Sequence, residues 1–264
     1  MDRFNPDQLS YNRLRFFAST PHDCGYFKNR EAMSLFTDPD YPMSPALYSK
    51  LVDMGFRRSG EHVYRPYCNL CKACMPSRLD VYKFRMSRSQ KRTFNKNQDL
   101  DINRFPPTFN TERFKLYRRY VSQRHTGGDM DIPEPSRYQS FISSSWCKTV
   151  FYEYRLGEKL LAVSVVDILS NGLSAFYTFF DPDYRERGLG TYSVLWLIEE
   201  AKRLELRWIY LGYWIEHCTK MEYKSKFKPL EVFSNQRWER LDTLTGKTAQ
   251  KQTEPLYDDI LEEA

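Results

Sequence analysis

Residues 185–190 read Arg-Glu-Arg-Gly-Leu-Gly and combine two features that bind phosphate: cationic side chains, and glycines that let an anion approach the backbone. The aromatic run 176–180 predicts a strand before this hexapeptide, and Asp-Pro-Asp at 181–183 predicts the turn that ends the strand. Apolar residues recur at helical spacing from 194 to 201. A glycine loop between a strand and a helix leaves amide N–H groups unpaired at the positive end of the helix dipole, so this stretch predicts an anion site. The alternative is that the glycines serve only the turn that begins the helix.

Four cysteines in the first third of the chain form the second group with distinctive chemistry. Cys68, Cys71 and Cys74 follow one another at C-x-x-C spacing, and Cys24 can supply a fourth thiolate. Cysteines at this spacing on a turn can bind one metal ion, as they do in zinc sites and iron–sulfur loops. No second C-x-x-C or histidine pair of standard spacing follows, so the identity of the metal stays open. The alternative is a set of small buried residues beneath a turn.

A basic stretch follows the cysteines. Residues 78–96 contain seven Lys or Arg and one acid, whereas the whole chain has 40 basic and 34 acidic residues, a net charge of +6. Such a stretch predicts binding to phosphate or carboxylate, with a solvated basic face as the alternative. The segment 246–264 has the opposite balance, with two lysines and five acids, and predicts an acidic C-terminal tail.

Turn residues and apolar spacing predict the elements that must position these groups. The predicted helices lie at 45–54, 112–125, 136–146 and 191–203, and the first has Leu47, Leu51 and Met54 on its apolar face. The predicted strands are a strand–turn–strand unit at 56–64, then 78–84, 151–155, 160–169, 173–180 and 208–214. This order predicts a mixed α/β (α+β) fold in which helices pack on an antiparallel-rich sheet.

Pro106 and Pro107 predict a domain boundary after the basic stretch. The predicted organisation is a smaller N-terminal region at 1–105 with the cysteine cluster and the basic stretch, a larger domain at 106–245, and the tail at 246–264. No apolar run approaches the roughly 20 residues that span a bilayer, which predicts no membrane partner. The first ten residues lack the pattern of a signal peptide, so we expect a cytoplasmic protein with reduced cysteines.

Taken together, these motifs resemble the arginyl-tRNA–protein transferase family, and within it the bacterial aspartate/glutamate leucyltransferases. The hexapeptide also resembles the acyl-donor loop of the GNAT acyltransferase superfamily, which cradles a pyrophosphate. The matching residues run in order through both halves of the chain: 23–26, 64–66, Cys68, Cys71 and Cys74 with Pro76 and Arg78, 88–92, 180–183, 189–193, 210–215, Cys218, 220–221 and 223–224.

The resemblance implies a GNAT-like acyltransferase domain that moves leucine from leucyl-tRNA to proteins with an N-terminal Asp or Glu, which marks them for degradation in the N-degron pathway. Transfer would require no cofactor. The eukaryotic arginyl enzymes have a second cysteine directly after the first Cys-Gly-Tyr, where this chain has Phe27. Their metal chemistry is therefore not carried over, and the choice of leucine over arginine rests on the resemblance to the bacterial subgroup.

An aminoacyl ester is already activated, so such an enzyme mainly needs to orient its substrates, remove a proton and stabilise an oxyanion. The strand ends near the glycine loop offer three candidate catalytic residues, Asp167, Tyr177 and Asp181. Each has a structural alternative: Asp167 can cap a strand end, Tyr177 can belong to the core, and Asp181 can shape its turn.

Acceptor and tRNA binding call for cations. An acidic N-terminal residue is best read by arginine, and the nearest candidates are Arg65, Arg78, Arg88 and Arg92, with Gln90. The candidate tRNA contacts are Arg185, Arg187, Gly188, Gly190, Lys220 and Lys224. Two other functions fit the same motifs: a coenzyme-A-dependent N-acetyltransferase that uses the glycine loop, and a non-catalytic RNA-binding module built on the cysteines and the basic stretch.

Overall fold

The structure is a computed structural model that describes residues 14–124 and 134–244. The acidic tail predicted at 246–264 lies outside the described residues. The β-strands are β1 (Phe16–Ala18), β2 (His22–Asp23), β3 (Glu31–Ala32), β4 (Ser34–Thr37), β5 (Arg57–Ser59), β6 (His62–Pro66), β7 (Met75–Asp80), β8 (Asp101–Phe105), β9 (Thr149–Leu156), β10 (Lys159–Leu169), β11 (Gly172–Phe180), β12 (Trp208–Trp214), β13 (Leu230–Ser234) and β14 (Arg237–Arg240). The α-helices are α1 (Pro45–Asp53), α2 (Arg88–Lys96), α3 (Thr111–Arg124), α4 (Pro135–Ile142), α5 (Leu189–Arg203), α6 (Thr219–Glu222) and α7 (Leu241–Leu244). Short 3₁₀ helices cover Pro182–Arg187 and Tyr223–Lys226.

An eight-stranded sheet forms the centre of the fold, with the strand order β14-β13-β7-β12-β11-β10-β9-β8. Its neighbouring strands pair antiparallel except β11 and β12, which are parallel because α5 connects them. Leu161 and Val166 of β10 pack into the core cluster that includes α5, whereas Leu160, Val163 and Val165 pack with α3 and α4. The two faces of the sheet therefore carry different helices, and the predicted mixed α/β class is confirmed.

A smaller sheet with the order β1-β4-β6-β5 packs on the large sheet through α1. Tyr48 and Val52 of α1 share one cluster with Val63 of the small sheet and with Leu169 and Tyr210 of the large sheet. This contact brings the N-terminal third of the chain against β10 and β12, which lie on either side of β11.

The boundary predicted at residue 105 does not separate two sheets. Strand β7 comes from the predicted N-terminal region yet lies between β12 and β13, and β8 pairs along β9. Both predicted regions therefore build the same sheet. Proline residues that follow a strand can end it without ending a domain, which is the role of Pro106 directly after β8.

Helix α1 begins and ends at the predicted signals, since the Ser44 side chain accepts from the Leu47 amide at 3.2 Å and Gly55 adopts a φ of +88°. Met54 does not join its apolar face as predicted: it is the C-cap residue, outside the helical geometry, and 50% exposed. The strand predicted at 78–84 lies instead at Met75–Asp80. The backbone then turns, with Lys83 and Phe84 donating to the Asp80 carbonyl.

Helix α2 was not predicted, although its sequence carries a capping box. The Ser87 hydroxyl accepts from the Gln90 amide, and the Gln90 side chain accepts from the Ser87 amide at 2.9 Å. Only Gln90 of the α2 residues is fully buried, so this mostly basic segment has no apolar face whose spacing would predict a helix. Within the described ranges, none of the helices is long and apolar enough to cross a membrane.

Candidate functional site

The two parallel strands of the sheet, β11 and β12, stop pairing part-way along their length, and the gap between them beyond that point is called the cleft below. Strands β11 and β12 pair only at Gly172–Ser174 against residues 208–210, although β11 continues to Phe180 and β12 to Trp214. Both strands are irregular beyond this point: the register against β10 skips Phe176, and the register against β7 skips Leu211. Bulges of this kind leave backbone groups without a ladder partner and are common beside active sites. The facing edges of residues 175–180 and 211–214 can therefore hold a ligand.

The glycine loop lies at the end of β11, at the mouth of this cleft. Gly188 is the N-cap of α5 and adopts a left-handed conformation, with φ 61° and ψ 40°. A Cβ at Gly190 would lie 3.2 Å from the Phe180 ring, and both glycines are partly exposed. The predicted strand–loop–helix order is confirmed. Sterics alone also favour glycine at both positions, because the backbone is left-handed at Gly188 and the Phe180 ring lies close to Gly190.

The end of α2 packs against the glycine loop. Lys96 donates to the Glu186 carbonyl at 2.7 Å, and the Asn97 amide group donates to the Arg187 carbonyl at 2.8 Å. Arg187 forms a bidentate ion pair with Asp99, with both nitrogen–oxygen distances at 2.9 Å. This pair holds the loop in place and occupies a guanidinium that we had predicted to contact tRNA. The basic stretch and the glycine loop thus form one continuous surface.

Asp167, a predicted catalytic residue, lies in a buried ion pair. Its carboxylate accepts from Arg58 Nε and Nη2, each at 2.7 Å, and from the Thr149 hydroxyl at 2.8 Å. Both charged side chains are 0% exposed. This buried carboxylate is already bound by Arg58 and Thr149, which favours a structural role for Asp167 in joining β10 to β5 over a role in proton transfer.

Asp181, the second predicted catalytic residue, caps the turn after β11. Its carboxylate accepts from the Asp183 amide at 3.0 Å and pairs with Arg119 at 3.0 Å and Lys159 at 3.4 Å. It is 1% exposed, which favours the structural alternative. Tyr177, the third, lies in the part of β11 that pairs with β10 but no longer with β12, and its ring packs against Phe141 and Tyr117.

The four predicted metal-ligand cysteines, Cys24, Cys68, Cys71 and Cys74, line one pocket of about 330 Å³ together with Tyr64 and Tyr213. Burial, and to a smaller extent the nearby thiols, raises the pKa of Cys74 to about 12. No group of three or more His, Cys, Asp or Glu side chains within residues 14–124 and 134–244 has an arrangement that could hold a metal ion. The prediction of a metal site is therefore not supported by the described geometry.

Two family models match this chain, the N terminus of arginine-tRNA-protein transferase over residues 22–92 and the C terminus over residues 112–234. This chain belongs to the arginine-tRNA-protein transferase family. The aspartate/glutamate leucyltransferase of Pseudomonas syringae pv. syringae (strain B728a) is 48% identical over 226 residues, which are 86% of this chain and 96% of the relative. The protein of the same name from Pseudomonas fluorescens (strain Pf0-1) is 49% identical over the same shares of both chains.

Solved structures resemble this member of the arginine-tRNA-protein transferase family more distantly. L-PGS from Bacillus licheniformis is 11% identical with a TM-score of 0.47, over 66% of this chain and 63% of that chain. FemX is 8% identical with a TM-score of 0.45, over 79% of this chain and 81% of that chain.

The predicted acceptor-binding residues of this transferase do not converge on the cleft. Arg78 pairs with Glu231 at 2.8 Å, and its guanidinium lies between the rings of Trp208 and Trp238, at 3.7 and 4.2 Å from their centroids. Gln90 is buried in the α2 cap and donates to the Lys226 carbonyl. Arg65 stacks on Phe56, with 5.0 Å between the guanidinium carbon and the ring centroid. Arg88 and Arg92 lie exposed on α2.

Lys224, a predicted tRNA contact, is instead 5% exposed at the end of β12. Its ammonium nitrogen donates to the Tyr213 carbonyl and lies 3.3 Å from the Met221 sulfur. Burial, and to a smaller extent the positive charge of Arg57, lowers its pKa to about 7. Such a group suits proton transfer at neutral pH better than phosphate binding. Lys220 and Arg185 are exposed, as a tRNA contact requires.

Proposed function

We propose that this protein transfers leucine from leucyl-tRNA to the N-terminal Asp or Glu of acceptor proteins, which marks those proteins for degradation in the N-degron pathway. Relatives with this activity in their name match nearly their whole length. The observation that carries the proposal is the glycine loop at the start of α5, which opens onto the cleft between β11 and β12. A charged tRNA end fits there, because its phosphates meet a helix N-terminus while its aminoacyl ester enters the cleft.

The tRNA backbone would run from the glycine loop along α2. Arg185 and the partly exposed Gly188 and Gly190 form the start of this path, and Lys220 adds an exposed cation on α6. Exposed cations on α2 continue it: Arg88, Lys91, Arg92 and Lys96. This reassigns Arg88 and Arg92 from the acceptor to the tRNA. Since neutralised phosphates release counterions, binding should weaken steeply with salt.

The reaction itself needs little from the protein, because the ester is already activated. The acceptor α-amine has an unperturbed pKa near 8, so a useful neutral fraction exists at neutral pH. Its nitrogen attacks the ester carbonyl, the new C–N bond forms, and the C–O bond to the terminal ribose breaks. The ribose oxygen leaves as a hydroxyl and the amine loses one proton. No cofactor takes part in this step.

Two groups in the cleft suit these demands. The bulge at Phe176 leaves a backbone N–H that can stabilise the oxyanion, and Lys224 can accept the proton of the attacking amine near pH 7. Tyr177 lies beside this bulge and would contact the aminoacyl group. Such a reaction belongs in the cytoplasm, where charged tRNA is present.

The test uses purified full-length protein, radiolabelled leucyl- and arginyl-tRNA, and peptides that begin with Asp, Glu or Ala. We expect leucine on the Asp and Glu peptides only, with no loss of product when a metal chelator is added. Arginine as the transferred residue would correct the donor. Product from acetyl-CoA without tRNA would support the N-acetyltransferase, and RNA binding without any product would support the non-catalytic module.

A further inference from the structure

Two consecutive arginines lie buried on β5, and only one of them has an acidic partner. Arg58 forms the ion pair with Asp167, which leaves only its Nη1 without a hydrogen bond. Arg57 is 6% exposed and has no acidic partner among the residues that the structure describes. Its Nη1 donates to the carbonyls of Phe56 at 2.6 Å and Val52 at 3.5 Å. Its buried Nε and Nη2 atoms have no hydrogen-bond partner among residues 14–124 and 134–244.

A buried guanidinium with two unsatisfied donors is costly for a folded protein. A buried hydrogen-bonding group without a partner loses its hydration free energy and gains nothing in exchange, and the loss is larger for a charged group. The Nε and Nη2 atoms also form one edge of the guanidinium, the geometry that binds the two oxygens of a carboxylate. An external carboxylate would satisfy both donors at once.

The surroundings of Arg57 connect it to the cysteine pocket. The guanidinium carbon lies 5.5 Å from the ring centroid of Tyr210 and 5.9 Å from that of Tyr213, and Arg57 faces Tyr64 in the β5–β6 register. Tyr64 and Tyr213 line the pocket. Burial raises the pKa of both phenols, and the charge of Arg57 partly offsets this, which places the guanidinium close behind that wall.

The same position connects Arg57 to the transfer cleft. Tyr213 lies on β12 beyond its last pairing with β11, and Lys224 donates to its carbonyl. On the other side, the Arg58 guanidinium lies 4.0 Å from the ring centroid of Phe176, the bulge residue of β11. An acceptor whose α-amine enters the cleft would therefore bring its first side chain toward Arg57.

We propose that Arg57 recognises the side-chain carboxylate of the acceptor's N-terminal Asp or Glu through its Nε and Nη2 atoms. This assignment rests on the proposed function and deepens it, because it identifies the group that selects acidic acceptors. Among the acceptor arginines predicted from the sequence, Arg78 is held by Glu231 and two tryptophans, Arg65 stacks on Phe56, and Arg88 and Arg92 are exposed on α2. Arg30 also lines the pocket, but it is exposed and stacks on Phe27. The pocket lined by Tyr64 and Tyr213 has a volume of about 330 Å³, which suits one or two residues of a peptide, and Arg57 lies behind these two tyrosines rather than in the lining itself.

The experiment compares Asp-initiated with Asn-initiated peptides as leucine acceptors, since these peptides differ in charge but hardly in size. For the wild-type protein, Asp should exceed Asn strongly in kcat/KM. In Arg57→Gln the Asp/Asn ratio should fall on the order of 100-fold, because a buried charge pair has lost one partner. Arg57→Lys keeps the charge but not the planar fork, so its ratio should fall by about 10-fold. Affinity for leucyl-tRNA should stay unchanged in both.

Arg137→Gln is the matched control, because it removes the same charge from an exposed position on α4. Partial unfolding would lower the rates with both peptides equally and leave the ratio unchanged, so the ratio separates recognition from stability. If Arg57→Gln does not fold, Arg57→Lys carries the test, and an unchanged ratio in that variant overturns the assignment. Loss of the ratio in Arg78→Gln instead of Arg57→Gln would also overturn it.

Failure of the inference can be told apart from failure of the proposed function. A wild-type protein that moves leucine onto the Asp peptide supports the function whatever Arg57 does. An active wild type whose Arg57→Gln variant keeps its preference for Asp rejects the Arg57 assignment alone. A wild type that gives no leucyl product with any acidic peptide rejects both.

Discussion

Replacing Asp167 by asparagine separates a structural carboxylate from a catalytic one. The change keeps the shape of the side chain and removes the charge that pairs with Arg58. Breaking a fully buried ion pair by removing one partner costs about 3–5 kcal/mol. Both side chains are 0% exposed, so solvent does not screen the pair. We expect about 3 kcal/mol, the lower end, because the amide oxygen of asparagine still accepts one hydrogen bond.

This loss should be visible in thermal and urea unfolding. For a chain of this size, 1 kcal/mol shifts Tm by roughly 2–4 °C, so Tm should fall by roughly 6–12 °C. Asp183→Asn is the matched control, because its carboxylate also pairs with an arginine but is 62% exposed. Exposed ion pairs contribute about 0–1 kcal/mol, so that variant should unfold nearly as the wild type does.

Leucyl transfer measured well below the unfolding transition decides the role of Asp167. The structure predicts that Asp167→Asn retains most of its activity per folded molecule. An unchanged Tm with a transfer rate lowered 100-fold or more would refute this reasoning and make Asp167 a catalytic residue after all. The double variant Arg58→Met with Asp167→Leu should regain much of the lost stability, because two apolar side chains then replace the buried ion pair and no unpaired charge is left in the core.

Two further predictions concern the glycine loop and the buried lysine. Gly190→Glu should lower kcat/KM for leucyl-tRNA by at least about 10-fold, because its Cβ would meet the Phe180 ring at 3.2 Å and its charge would repel phosphate. Gly157→Glu is the control for the added charge: it has nothing within 4 Å, and its φ of +56° makes it the more strained of the two backbones. Normal turnover of the Gly190 variant would remove the loop from the mechanism. For Lys224, the pKa is lowered from 10.5 to about 7. Between these two pH values the folded state therefore binds fewer protons than the unfolded state. The contribution of Lys224 to the free energy of unfolding rises with pH across that window. Relative to Lys224→Met, the wild type should therefore gain about 2 kcal/mol in urea unfolding between pH 7 and 8.5, and a pH-independent difference would show that Lys224 stays protonated in the fold.

Local signals in the sequence predicted much of the fold. The strands predicted at 160–169 and 173–180 do form a hairpin, although its two-residue turn is Ser170-Asn171 and Gly172 already pairs with Leu169. Helices α1 and α5 lie close to the predicted positions. The predictions failed where the signal was not local. The insertion of β7 between β12 and β13 joins residues far apart in sequence, and no periodicity within β7 encodes its neighbours.

The candidate site shows the same difference between what short segments predict and what long-range packing determines. Residue types and spacing identified the glycine loop, the cysteine cluster and the basic stretch, because these depend on short segments of chain. Only the tertiary structure decided what each charge meets: Arg78 and Arg187 are occupied by carboxylates, Lys224 is buried, and Arg57 is buried with two donors unsatisfied in the described ranges. A side chain's availability depends on burial and on partners from distant segments, and those are set by packing rather than by the identity of its neighbours along the chain.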